Sequence, residues 1–170
     1  MSVLVADTSG LVSLAVAAGH HPDPLALCLD IYEVLIPEPV LNELEEISSY
    51  DDAHGRGAGT VLDRGDDLTV ESVTVDEAFP LDDGENAAVT LANDVDAALF
   101  LCDEFNRLGL IHASLANTRL VTTPTLLAVF IRRASLSRDE ALEIFDVISQ
   151  ARSWDDNSYA ARARSLLERS

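Results

Sequence analysis

Two short apolar runs, VLVA within Met1–Ala6 and LFLC within Ala97–Cys102, each stop on an aspartate, Asp7 and Asp103. Runs this short, rich in β-branched and other apolar residues, read as buried strands. Helical patterning follows Asp7, and a short helical turn at Glu104–Leu108 follows Asp103. Further strands are expected at Val34–Ile36, at Leu68–Val75 (alternating, hence an edge) and at Arg119–Thr122. Helices are expected at Leu11–Ala18, in LALCLD, at Val40–Ser49, from the LDDGENAAVTLA stretch to about Asn93, and near Thr125–Ala134, Arg138–Ala151 and Asn157–Glu168. The Gly- and Asp-rich segment Asp51–Asp67 reads as a mobile acidic arm with room for a short helix. Strands separated by helices imply an α/β chain with a parallel sheet covered on both faces. At 170 residues the chain is long enough for one domain, 1–170, with a full core.

In such sheets ligands bind in the crevice beyond the carboxyl ends of the strands. Asp7 and Asp103 stand there, and Thr122 and Thr123 lie at the end of a third strand. Each acid on its own is an ordinary cap for the helix that follows. Glu43, in EPVLNELEEI, flanks the apolar stripe of Val40, Leu41, Leu44 and Ile47, which makes it a surface glutamate or an acid aimed along the rim. Glu85 stands three residues after Asp82, the spacing of a capping box. It also shares a face with Ala88, Val89 and Ala92, small residues that pack close to a sheet. Both readings stand for Glu85. Taken together, the four acids Asp7, Glu43, Glu85 and Asp103 would repel one another at one rim unless protonated or bridged by a cation. Oxygen-only donors suit Mg2+ or Mn2+ rather than zinc.

Thirty acidic residues face eleven basic ones, all arginine, for a formal charge of -19. Such a surface repels itself at low salt. With no lysine and few aromatics, it is the pattern expected of a halophilic archaeon, whose cytoplasm screens charge over roughly 3 Å at about 1 M salt. The acidity argues against a general nucleic-acid-coating role, though not against a nuclease whose cations meet the phosphate. Cys28 and Cys102 sit in apolar contexts and make no zinc spacing with each other or with the histidines. No apolar run reaches the length of a membrane span, and the first residues lack a signal-peptide pattern, so a cytoplasmic protein with no membrane partner is expected.

The segments VLVADTSGLVSLA, PEPVLNELEEI, LDDGENAAVTLA and LFLCDEFNRLGL occur in the order seen in PIN-domain proteins, and the chain resembles that family from Val3 to about Arg133. The third and fourth motifs resemble its DUF3368 subgroup. Many PIN proteins are VapC-type toxins of toxin–antitoxin pairs. The resemblance implies a three-layer α/β/α sandwich around a parallel sheet. It also implies a Mg2+- or Mn2+-dependent endoribonuclease that leaves 5′-phosphate and 3′-hydroxyl ends. Asp7, Glu43, Glu85 and Asp103 would be its catalytic and metal-binding acids. Asp7, Glu85 and Asp103 are the better fit as ligands, and Glu43 as the carboxylate that orients or deprotonates water. Glu104 stands where the subgroup has a further acid, Asp83 is placed to share the role of Glu85, and Arg107 is placed to pair with Glu104 or to meet a phosphate. Thr123 takes the place of a hydroxyl residue near the site, or caps the helix it opens. The expected partners are an RNA substrate (tRNA, rRNA or mRNA), an antitoxin protein and a second copy in a homodimer. Two alternatives stay open: a PIN nuclease of RNA processing or DNA repair, and a PIN-like scaffold that binds without cutting.

Overall fold

The structure, a computed structural model, describes residues 1–75 and 80–170. Strand β1 (Val3–Ala6) lies at the centre of a five-stranded parallel sheet with order β3-β2-β1-β4-β5. Its neighbours are β2 (Glu33–Pro37) and β4 (Leu99–Leu101), and the edges are β3 (Leu68–Glu71) and β5 (Arg119–Val121). Register places Leu4 beside Val34 and Leu99. The chain winds outward from β1 through β2 to β3, then returns to lay β4 on the other side of β1. That reversal opens a crevice between the carboxyl ends of β1 and β4.

Helices pack on both faces, giving the three-layer α/β/α sandwich. Leu4, Val5 and Ala6 of β1 and Phe100 and Leu101 of β4 are wholly buried, as a doubly covered parallel sheet requires. Helix α1 (Thr8–Val16) leaves β1 directly, α2 (Pro24–Ile31) leads into β2, and α3 (Glu38–Ile47) leaves β2 with Pro39 in its first turn. Helix α5 (Asp83–Asp94) precedes β4, and α6 (Leu108–Ser114) lies between β4 and β5. The chain closes with α7 (Thr123–Arg132), α8 (Arg138–Arg152) and α9 (Ser158–Glu168).

Three expectations need correction. The segment read as a mobile acidic arm is mostly helix α4 (Ala53–Asp63), with a 3-10 turn at Gly65–Asp67. Asp52 caps α4 by accepting the Gly55 N–H at 2.8 Å, and Gly55, Gly57, Ala58 and Val61 are buried. The strand expected to reach Val75 ends at Glu71. The helical turn expected at Glu104–Leu108 lies further along the chain and is longer, as helix α6 beginning only at Leu108.

Candidate active site

Asp7 follows β1 in the N-cap position of α1, with extended backbone (φ -82°, ψ 158°), yet its side chain caps nothing. The carboxylate is held instead by the Ser9 hydroxyl, which donates to Oδ2 at 2.9 Å, and by the Cys102 thiol at 3.6 Å. The Ser9 hydroxyl also accepts the Asp103 backbone N–H at 2.9 Å, so one small side chain ties the end of β1 to the end of β4. Asp7 is only 4% exposed. Burial, reinforced by the charges of Glu43 and Glu104, pushes its pKa up to about 6 against the pull of Ser9.

Glu43 reaches the same crevice from α3. The Thr8 hydroxyl donates to its Oε2 at 2.6 Å. Desolvation raises its pKa, with Asp82 and Glu104 adding to the rise and Thr8 opposing it. On its other side lies Gly84 of α5. A Cβ at that position would run into Oε1 of Glu43, so the glycine leaves room for the Glu43 carboxylate in its position beside Thr8.

The capping question at α5 has a divided answer. Asp82 is the cap and accepts the Glu85 backbone N–H at 2.8 Å. The Glu85 carboxylate is not turned back to complete a box; it accepts from Arg107 Nε at 2.8 Å. Glu85 is buried, and burial together with the adjacent Asp82 carboxylate drives its pKa up to about 8, with Arg107 pulling the other way. The ion pair favours a charged Glu85, whereas burial beside Asp82 favours a protonated one. Arg107 is well exposed to solvent and its attraction is screened, so the upward direction prevails.

Asp103 is brought close but faces elsewhere. Thr123, at the start of α7, donates its backbone N–H to Oδ1 at 2.7 Å and its hydroxyl to Oδ2 at 2.6 Å. Burial raises the Asp103 pKa while the two Thr123 bonds lower it.

Asp7, Glu43 and Glu85 therefore line one open cavity of about 360 Å³, and Asp103 is not among its lining residues. Asp52, Asp82 and the exposed Glu104 complete the acidic wall. Asp83, considered as an alternative to Glu85, does not line it. Among the described residues, no three of His, Cys, Asp or Glu stand close enough together to hold one metal ion. Sequence reasoning missed Asp82 as a wall residue, together with Asp52 and His54 from the segment read as an arm, and Arg152 from the last turn of α8. It also gave Thr8 and Ser9 no part in the site. The signal for them was DTSG itself, two hydroxyls directly after a strand-terminal acid.

No family model matches the sequence, and no curated protein matches it. Among solved structures the chain is similar to a PilT N-terminus (PIN) domain protein from the hyperthermophilic archaeon Sulfolobus solfataricus P2. The TM-score is 0.52 at 17% identity, covering 75% of this chain and 92% of that one. The fold is thus a PIN-type α/β sandwich. No helix of the described residues is long and apolar enough to cross a membrane.

Proposed function

We propose that the chain is a Mg2+- or Mn2+-dependent endoribonuclease. The observation that carries this reading is the convergence of Asp7, Glu43 and Glu85, from three separate elements, on one cavity at the switch point of a PIN-type sheet. A merely structural set of caps has no reason to share a cavity.

The residues fit a hard divalent cation in kind. The acids offer only oxygen donors. Asp7 and Glu43 are raised in pKa chiefly by burial and further by neighbouring carboxylates, and a cation would offset that added negative charge. Asp7, Glu43 and Glu85 are the proposed ligands from the cavity wall. Glu104 has no side-chain hydrogen bond or ion pair among the described residues, so its carboxylate is free to swing in and complete the set. Asp103 joins them only if its carboxylate leaves Thr123. A bound cation would lower the pKa of a water and offset charge building on the phosphate.

The chain's own groups supply the rest. Thr8 fixes the Glu43 carboxylate, the best-placed group to orient and accept a proton from an attacking water. Ser9 fixes Asp7. Arg152 brings a guanidinium to the wall, where a phosphate can meet it. The substrate class, RNA, rests on the resemblance of the motifs, as does a toxin role with a neutralising antitoxin and a homodimeric state.

One observation favours a second reading. Glu85 and Asp103 already have protein partners, Arg107 and Thr123, as acids in a non-cutting PIN-like scaffold would. The deciding experiment is a cleavage assay on total tRNA and ribosomal RNA in high-salt buffer. It is run with Mn2+, with EDTA, and with Asp7→Asn. Cutting that needs Mn2+ and fails in Asp7→Asn is the expected result. Cutting that persists with EDTA rejects the metal mechanism, and no cutting by the wild type in any metal supports the scaffold.

A further inference from the structure

The chain carries thirty acidic residues against eleven arginines, yet one groove on its surface is lined by three arginines and no acid. This groove, about 380 Å³, lies between α7 and α9 beside the edge strand β5. The oxygen of Tyr159 lies 3.3 Å from the Thr122 hydroxyl, which joins the start of α9 to the start of α7. Arg138, just beyond the end of α7, donates to the carbonyl oxygen of Ser170 at 3.2 Å. The two helices therefore run side by side in the same direction.

That direction orders the lining. From Pro124 to Arg132, α7 spans about 12 Å at roughly 1.5 Å per residue. Arg132 ends α7, and Arg119 begins the strand that α7 runs back along, so these two share the far end of the groove. Arg162 lies one turn into α9, nearer the Tyr159 end. Between them the floor is apolar: Pro124, Ala163 and Leu167 are buried, while Leu166 stands 60% exposed at the rim. None of the three arginines makes an ion pair or a side-chain hydrogen bond among the described residues. Of the other arginines only Arg64, Arg107 and Arg164 form ion pairs with acids among the described residues, so what sets the groove apart is the gathering of three unpaired guanidiniums in one place. Three uncommitted guanidiniums around an exposed leucine, on a chain with acids to spare, are a surface left open for an anionic and partly apolar occupant.

We propose that the α7–α9 groove docks an acidic segment of a partner protein, which lays an apolar side chain on Leu166 and sets carboxylates against Arg162 at one end and Arg119 and Arg132 at the other. A peptide suits this surface better than a nucleic acid. The floor is aliphatic, with no aromatic side chain but Tyr159 among its lining residues, and that ring already lies against Phe105 with centroids 4.7 Å apart, so the groove presents no stacking platform for successive bases. The net charge of the chain does not forbid an acidic ligand. At about 0.15 M salt the Debye length is roughly 8 Å, so the nearby guanidiniums outweigh the distant carboxylates. Arginine gives such a contact its direction through paired donors to each carboxylate. The proposal stands apart from the nuclease reading, because the groove shares no lining residue with the acidic cavity.

The test pans a random-peptide library displayed on phage against the full chain at about 0.15 M salt or above. Recovered peptides are synthesised and measured by fluorescence anisotropy against wild type, the triple variant Arg119→Ser/Arg132→Ser/Arg162→Ser, Leu166→Asp and Asp7→Asn. All the groove positions changed are exposed, and circular dichroism confirms that each variant folds. The expected result is enrichment of Asp and Glu around an apolar residue. Binding should weaken roughly tenfold or more in the triple variant and in Leu166→Asp, and be unchanged by Asp7→Asn or EDTA. Recovered peptides without acidic enrichment, or peptides that bind the groove variants as they bind wild type, overturn the proposal. Displacement of the peptide by single-stranded RNA or inorganic phosphate overturns it in favour of a phosphate site. A wild-type dimer that Leu166→Asp dissociates overturns it in favour of a second copy of this chain.

Discussion

Thr123 holds both carboxylate oxygens of Asp103, one through its backbone N–H at 2.7 Å and the other through its hydroxyl at 2.6 Å. The pair is fully enclosed and joins the end of β4 to the start of α7. Deleting the hydroxyl removes a short hydrogen bond to a buried carboxylate, a loss of about 1.5–3 kcal/mol for a hydrogen bond to a charged group. Thr123→Val is therefore expected to lower stability by that amount in urea denaturation, and Thr123→Ser to restore it. A Val variant as stable as wild type would show that the bond contributes nothing.

Gly84 bears on function rather than on folding. An added methyl group at this position meets the far end of the flexible Glu43 side chain, not backbone. The glutamate can swing away, and alanine is favoured over glycine in a helix by about 1 kcal/mol. Gly84→Ala should leave the melting temperature unchanged or slightly higher, while Mn2+-dependent cleavage falls at least about tenfold as Glu43 leaves its bond to Thr8. Full activity in this variant would remove Glu43 from the proposed machinery.

The same glycine shows how far the sequence could be read. The elements are legible where the local pattern is strong: β1 and β4 from their apolar runs, and α8, expected at Arg138–Ala151 and found at Arg138–Arg152, which Ser137 and Glu140 open with a true capping box. Helix α4 was masked because Gly55 and Gly57 argue locally against a helix. They are there because a side chain at Gly55 would overlap the Tyr50 carbonyl, and one at Gly57 would press on Val12 of α1. Packing overrides propensity at both positions. In the site, the order of the acids led to the expectation that Asp7, Glu43, Glu85 and Asp103 would gather at one rim; the first three line one cavity and Asp103 does not. That order could not foretell that Arg107 would turn to Glu85, or that Thr123 would take Asp103, because such pairings depend on side-chain direction in the folded chain and not on spacing.

Asp7 has a cost that can be measured without any substrate. Its pKa of about 6 in the folded chain lies above the usual 3.8, so the folded state holds the proton more tightly than the unfolded one. With respect to this group, stability is greatest below pH 3.8, falls as pH rises towards 6, and is level above it. A difference of this size corresponds to about 3 kcal/mol. Asn keeps an acceptor for the Ser9 hydroxyl and carries no charge. Asp7→Asn should therefore stabilise the metal-free chain by about 2–3 kcal/mol at neutral pH and by almost nothing below pH 4. Calorimetry at both pH values in EDTA checks this, and a variant that melts lower than wild type at neutral pH contradicts it.

Cation binding must displace the protons that burial retains. Asp7 sits at about 6 and Glu85 at about 8, both raised chiefly by desolvation. A ligand binds metal only when deprotonated, so apparent affinity gains up to about tenfold per pH unit for each proton displaced. Mn2+ affinity, measured calorimetrically, should climb steeply below pH 6, where protons leave both groups on binding. It should climb less steeply between 6 and 8, and level off above 8. Arg107 pulls Glu85 down, so Arg107→Ala should move the upper bend to higher pH and leave the lower one in place. If both bends stay put, Glu85 is not among the groups that hold the ion. If affinity is flat across the whole range, the acidic cavity does not bind the cation at all.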